Sequence, residues 1–402
     1  MDKRAKVRLL PSYVYHAASI AATVRHLDDF RYNEDMSTKT ITNMLINLGS
    51  LNNLKSWRKI NRYVRKMRQQ VFLKNPMKGE LPMTITMMML GASGVGKTTM
   101  LATMYRALLR MDTEAQAGFT FKAIGDTIHD LNDAYEKLED LIKIPGNTEL
   151  SERLLPADQG ILERNFSVLF KGKKEFDFRF FDHAGGLIKM KEKDNPADVT
   201  LFKSLLQEAI VIINVIDGAV LVQGSEFLNN RINNPYLIYE LLSEALNDDQ
   251  EHLVLFVITK CEAFLKNSNG RKLLHDKFEE RHKEVLNLIR DSHRKNVVGV
   301  LIPVKTLGCV EFSHIKNFGE KEKEKLIFVR KPSLQFKPEN IEQPLRYALA
   351  FALSQHDKNR GLFENFFRWL LNKDEVFQNA LKQFANNRDK TFKMYGSTSL
   401  LP

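Results

Sequence analysis

A chain of 402 residues, 43% apolar and 27% charged, holds one large domain with attachments or two domains, and its composition is that of a soluble globular protein. Two cysteines, Cys261 and Cys309, exclude a disulfide scaffold and suit the reducing cytoplasm. The net charge of +11 is concentrated: residues 1–82 hold 16 Lys and Arg against 6 Asp and Glu, which leaves the rest almost neutral.

The N-terminus turns apolar after a basic start, but Pro11, Ser12, His16 and Ser19 interrupt any signal-peptide core, so a helix of the mature protein is expected there. Helices are predicted over 12–30, 39–52 and 54–73. In the third, Leu54, Trp57, Ile60, Val64, Met67 and Val71 recur at steps of three and four and form one apolar face. Lys55, Arg58, Lys59, Arg62, Arg65, Lys66 and Arg68 fill much of the remainder. This helix suits docking on the chain's own domain with a solvated basic face. An acidic protein partner, a nucleic-acid backbone or a membrane surface are the other readings. No aromatic residues alternate with the cations, which argues against a module that reads base sequence. Two prolines and a glycine in "KNPMKGELP" (74–82) mark a boundary, so 1–82 reads as a basic helical N-terminal segment.

From 83 to 308, apolar runs at 83–90, 164–170, 175–181, 209–216, 252–258 and 297–304 alternate with helical stretches. The helices are expected at 97–110, 123–143, 197–208, 235–247 and 270–290. The expected fold class is α/β, a mainly parallel sheet with helices on both faces. The runs at 164–181 are joined by "KGKK" and form an antiparallel hairpin. The longest apolar run, 209–222, contains Asn214 and Asp217 and is too short to cross a bilayer. Residues 309–402 read as a hairpin around "GEKEKEK" (319–325) followed by a helical extension. Within it, "LFENFFRWLL" (362–371) is read as core.

The stretch Gly91-Ala92-Ser93-Gly94-Val95-Gly96-Lys97-Thr98-Thr99 follows a strand and opens a helix, and it fits G-x-x-x-x-G-K-[ST]. Glycine lets the backbone wrap a phosphate closely, and N–H groups at a helix N-terminus favour an anion. Lys97 neutralises the outer phosphates, and the Thr98 hydroxyl offers Mg2+ a hard oxygen ligand. Downstream, "FDFRFFDHAGG" (176–186) ends a strand with Asp182 and sets Gly185 three residues on. Asp182 can hold the metal through water, and the Gly185 N–H can sense a γ-phosphate. A third strand end reads Thr259-Lys260-Cys261-Glu262.

In this order, phosphate loop, D-x-x-G and T-K-x-E, the chain resembles P-loop GTPases of the translation-factor and Ras-like class. With "QPLRYALAF" (343–351) it looks most like the bacterial double-GTPase type and its TRAFAC-clade relatives. The resemblance covers about 83–355 and implies a Ras-like P-loop fold, GTP and GDP as ligands, and Mg2+. It also implies a role in a bacterial multi-component system, such as one for defence. It assigns Glu262 to the N1–H and 2-amino edge of guanine, although Asp is usual there. The stem of Lys260 would lie over the base plane. Thr306 and Leu307, with Lys305, occupy the loop whose N–H groups hold the guanine oxygen in relatives.

Ras-like enzymes place Gln directly after D-x-x-G, whereas this chain has Gly186, and His183 lies inside the motif. Ser93 stands where Gly is frequent and would crowd an incoming arginine. Slow intrinsic hydrolysis completed by a partner or by an arginine from elsewhere is therefore expected. The switch residue lies in 145–163, with Thr148 and Asp158 both open. The rival readings are a P-loop ATPase that powers remodelling and a nucleotide-binding scaffold acting through its basic N-terminus. No second acidic residue after Asp182 supports the ATPase.

Overall fold

The computed structural model separates the chain into two compact units, 1–81 and 82–402. It describes residues 83–113, 118–144, 148–150, 154–155, 161–183, 196–246, 250–291, 294–316, 324–354, 370 and 373–402. The basic helices expected before residue 82 and the Phe-rich stretch at 362–369 lie outside these.

The described strands and helices alternate in the order the apolar runs predict. The sequence runs β1 (Met83–Leu90), α1 (Lys97–Thr113), β2 (Thr120–Ala123), α2 (Asp126–Lys143), β3 (Glu149–Leu150), β4 (Ile161–Phe170) and β5 (Lys173–His183). It continues with α3 (Pro196–Glu208), β6 (Val211–Asp217), α4 (Gly218–Gln223), α5 (Glu226–Ile232), α6 (Pro235–Ala245) and β7 (His252–Thr259). Next come α7 (Ser268–Arg281), α8 (Lys283–Arg290), β8 (Val297–Pro303), β9 (Val310–Lys316) and β10 (Lys325–Arg330). The chain closes with α9 (Gln343–Ser354), α10 (Glu375–Asn386) and β11 (Met394–Gly396).

Eight strands form the main sheet in the order β11-β8-β7-β6-β1-β5-β4-β2. The five from β8 to β5 are mutually parallel, and antiparallel strands finish both edges. Parallel strands covered on both faces should be apolar throughout, and every residue of β6 and β7 is buried. Side chains alternate between two cores. Met87, Met89, Val211, Ile213, Leu255 and Val257 join one, packed under α1, α2, α9 and α10. Met88, Leu90, Ile212, Ile216, Val254 and Phe256 join the other, under α3, α6, α7 and α8. One residue breaks the second pattern: Asn214 is fully buried, and among the described residues its amide meets no hydrogen-bond partner.

Local chemistry sets several ends. The expected hairpin forms, and Lys171 and Gly172 at its tip have φ of +50° and +76°. Left-handed backbone at both central residues fits the right-handed twist of the paired strands. Asn234 caps α6 through the Leu237 N–H, with Pro235 in the first turn. Where one helix was expected over 270–290, the structure has two. They break at His282, whose ring stacks on Phe278 in the core.

A second, three-stranded sheet has the order β3-β10-β9. The strands flanking the charged 319–325 stretch supply its antiparallel β9–β10 pair, with a register shift between Ile327 and Phe328. The end of the chain returns to the main sheet, where β11 adds beside β8. No described helix is long and apolar enough to cross a membrane.

Candidate functional site

β1 lies between β5 and β6, parallel to both, so the residues after Leu90 emerge at the carboxyl edge of the sheet where its winding reverses. That crevice is where open α/β sheets hold ligands. Gly91, Gly94 and Gly96 take φ of +140°, +88° and +101°. At Gly91 a Cβ would also lie 2.7 Å from the Val215 carbonyl oxygen, so neither backbone shape nor space admits a side chain. Ala92, Ser93, Gly94, Gly96 and Thr98 are half-buried, while Val95 and Thr99 are buried. The Lys97 ammonium bends back over the loop. It donates to the Gly91 carbonyl at 2.8 Å and the Ala92 carbonyl at 3.4 Å. It also lies 3.6 Å from Oδ1 of Asp182, a buried residue near the end of β5.

The structure thus brings Lys97 and Asp182 together, with Thr98 next to Lys97 in the first turn of α1. Gly185, Gly186 and Asp158 lie outside the described residues, as does the side chain of His183. Thr148 is described. Its carbonyl accepts from the Arg330 N–H at 3.1 Å, and the following Glu149 and Leu150 pair with Val329 and Phe328 of β10.

The strand end at Thr259 is tied to the phosphate loop directly. The Thr259 hydroxyl donates to the Val95 carbonyl at 2.5 Å, with the Ile216 carbonyl at 3.2 Å. Lys260 follows with φ of +51°. Its ammonium pairs with Asp217 Oδ2 at 2.7 Å and lies 5.2 Å from the centre of the Phe328 ring. Asp217 is itself held firmly. Its Oδ1 accepts from the Val220 N–H and caps α4, while the Asn233 amide brackets its backbone N–H and carbonyl. Neither Asp217 nor Phe328 is legible as a site residue from local sequence. Each joins the candidate site by meeting Lys260 in space.

Glu262 is buried, and one oxygen, Oε1, takes three donors. These are the Thr306 N–H at 3.1 Å, the Thr306 hydroxyl at 3.4 Å and the Leu307 N–H at 3.5 Å. The carboxyl is held above the usual range, with burial the largest cause and these hydrogen bonds opposing it. Lys305 points elsewhere and pairs with Glu339 at 2.7 Å. Cys261 is fully buried behind the motif, its Sγ within reach of the Ile258 and Val304 carbonyls. Burial pushes that thiol well up, and Cys309 upward as well, which fits inert core cysteines.

With this arrangement established, comparison decides the family: the model of the Double-GTPase 2 family matches residues 86–299, more than half of the chain. The chain belongs to the Double-GTPase 2 family. The matched span of this Double-GTPase 2 chain begins within β1 and ends within β8, so it takes in the phosphate loop, Asp182 and the Thr259–Glu262 turn. No curated protein matches. Among solved structures, the Saccharomyces cerevisiae Ski7 GTPase-like domain bound to GDP and inorganic phosphate is 13% identical. That likeness covers 55% of this chain and 43% of the Ski7 chain, with a TM-score of 0.26. The chain therefore spans less than half of that relative. Methanosarcina barkeri Roco2 RocCORdC bound to GDP is 12% identical over 82% of this chain and 77% of its own, with a TM-score of 0.27.

Proposed function

We propose that this Double-GTPase 2 chain binds GTP with Mg2+ and hydrolyses it slowly, as a molecular switch in the cytoplasm whose nucleotide state controls a protein partner. The observation that carries the reading is the Thr259–Val95 hydrogen bond. It puts the T-K-x-E turn against the phosphate loop, so a carboxylate three residues on can meet the base of a nucleotide whose phosphates lie in that loop.

The residues present suit Mg2+. Thr98 opens α1 and the Asp182 carboxylate lies 3.6 Å from the Lys97 ammonium, so two hard oxygen donors flank the phosphate cradle. Among the described residues no group of three or more His, Cys, Asp or Glu forms a closed cage. Mg2+ is often bound through one or two protein oxygens together with substrate phosphates. When bound, the ion neutralises charge developing on the phosphoryl oxygens. Lys97 adds a fixed positive charge on the same side, and the loop N–H groups orient the chain of phosphates. Gly186 stands where Ras-like enzymes carry the Gln that orients the attacking water, which supports slow turnover without a partner.

Calorimetry with GTP, GDP and ATP tests the proposal. GTP and GDP should bind at least 100-fold more tightly than ATP, since a buried carboxylate left without its donors rejects adenine. Glu262→Ala should remove most of that preference while leaving the protein folded. Equal affinity for ATP and GTP would reduce the assignment to a P-loop protein of open base choice. In single turnover, the purified chain should hydrolyse GTP at about the rate of unassisted Ras-like enzymes, roughly 10⁻⁴–10⁻² s⁻¹. A rate near that of an activated complex would remove the need for a partner.

A further inference from the structure

The segment expected to hold the switch residue, 145–163, is joined to a part of the chain that lies far beyond it. Its described strand, β3, pairs with β10. Leu150 lies opposite Phe328 and Glu149 opposite Val329, and the Arg330 N–H donates to the Thr148 carbonyl at 3.1 Å. Opposite residues share one face of a strand pair. Leu150 and Phe328 are buried, whereas Glu149 is exposed and Val329 half-buried. Leu154 and Leu155 pack against the same core as Leu150 and Phe328. β9 and β10 lie outside residues 86–299, the span of the family match, so this pairing is made by the chain's own C-terminal part.

The two edges of β10 differ in strength. β10 runs along β9 from Lys325 to Arg330 but meets β3 only at Phe328 and Val329. The hairpin is also fastened to elements that follow β6 and β7. Glu311 pairs with Lys266 at 2.7 Å, the Ser225 hydroxyl donates to Glu324 at 2.9 Å, and the Phe328 ring lies 5.2 Å from the Lys260 ammonium. A short strand opens at lower cost than the longer ladder on which it rests. GTP and GDP differ by the γ-phosphate, which supplies the differential contact that a change of state requires. Ordering the residues after β3 against that phosphate lowers the entropic cost of docking β3 itself.

We infer that β3 is held on β10 more firmly with GTP bound than with GDP, so that the β9–β10 hairpin carries the nucleotide state away from the phosphate loop. The inference rests on the proposed GTP switch and names the element that transmits it. Thr148 then acts through its main chain, at the end of the docked strand. Ser313, His314 and Lys316 of β9 and Lys325 of β10 are exposed, so the hairpin presents that state on a polar surface. The effect is reciprocal: whatever fastens β3 to β10 favours GTP over GDP by the same factor.

Hydrogen exchange at the Arg330 amide tests this in the full wild-type chain. With Mg2+ and a non-hydrolysable GTP analogue, that amide should exchange roughly tenfold more slowly than with GDP. Amides bonded between β9 and β10 should change by less than about twofold. Equal exchange at Arg330 in the two states, or slower exchange with GDP, would overturn the inference. A second test fixes the joint. Glu149→Cys combined with Val329→Cys puts thiols on directly opposite residues, a spacing that a disulfide can bridge. Oxidation should raise the ratio of GTP to GDP affinity about tenfold, and reduction should restore it. A ratio unmoved by oxidation would count against the inference while leaving GTP binding intact. A chain that binds neither nucleotide would overturn the proposed function, and the inference with it.

Discussion

Among single residues, Asp217 has more dependents than its position suggests. It ends a strand, caps a helix, and holds the ammonium of Lys260. Removing one partner of a largely buried pair costs about 3 kcal/mol, and loss of a helix cap adds about 1 kcal/mol. Asp217→Ala should therefore lower unfolding stability by roughly 4 kcal/mol, measured by urea titration, and should weaken GDP binding more than Asp217→Asn does. Asn214 points the other way. Its amide is buried among apolar neighbours without a partner among the described residues, and such groups cost about 1–3 kcal/mol. Asn214→Val, with a β-branched side chain suited to a strand, should raise stability by about 1–2 kcal/mol in the same titration. Unchanged stability would mean that the amide has a partner in solution. The motif residues of the phosphate loop and the Thr259–Glu262 turn were legible because their spacing is local. Asp217 and Phe328 were not, because their roles arise from strands that are distant in sequence.

At the level of elements, two buried histidines give the second core a dependence on acidity. Burial holds His252 down to about 4 and His282 down to about 3, from an ordinary value of 6.5. The unfolded chain takes up these protons near pH 6.5 and the folded chain only well below it. Stability is therefore whole above pH 6.5 and falls as pH drops towards 4 and 3, by about 1.4 kcal/mol per pH unit for each ring. Denaturation at pH 7 and pH 5 should differ by roughly 3–4 kcal/mol, and His282→Phe should about halve the difference. Five of the six long apolar runs announced their strands because a parallel sheet buried on both faces leaves few polar positions, and the sixth, β4, is tied to β5 by the short hairpin link. β2, β3 and β11, with four, two and three residues, are too short to show a pattern. α4 and α5 were missed because Asp217 closes β6 and opens a helix with no spacer. The break at His282 has no Gly or Pro to signal it.

Across residues 82–402, the C-terminal part is integral to the core. Phe377, Leu381 and Phe384 of α10 are buried beside Phe119 and Phe121, and Tyr395 of β11 is buried against Phe278. Arg346 reaches the Phe384 carbonyl, and the Tyr347 hydroxyl reaches that of Asp389. A chain ended after Ser354 should lose these side chains together, each worth about 1.5–3 kcal/mol of burial. It should show no cooperative thermal transition by calorimetry, whereas the full chain should. A sharp transition in the shortened chain would show that the last 48 residues (355–402) are an addition to a finished domain. The sequence placed a helical extension here, yet the return of β11 to the main sheet was invisible to it, since pairing with a strand as distant in sequence as β8 leaves no local trace.

The Thr259 hydroxyl owns a single proton and spends it on the Val95 carbonyl. If the nucleotide binds as proposed, this bond joins the two halves of the cleft, and losing the hydroxyl should let each act on its portion of the ligand separately. In a Thr259→Val chain, substitutions at Lys97 and at Glu262 should become thermodynamically independent, their penalties summing without a coupling term.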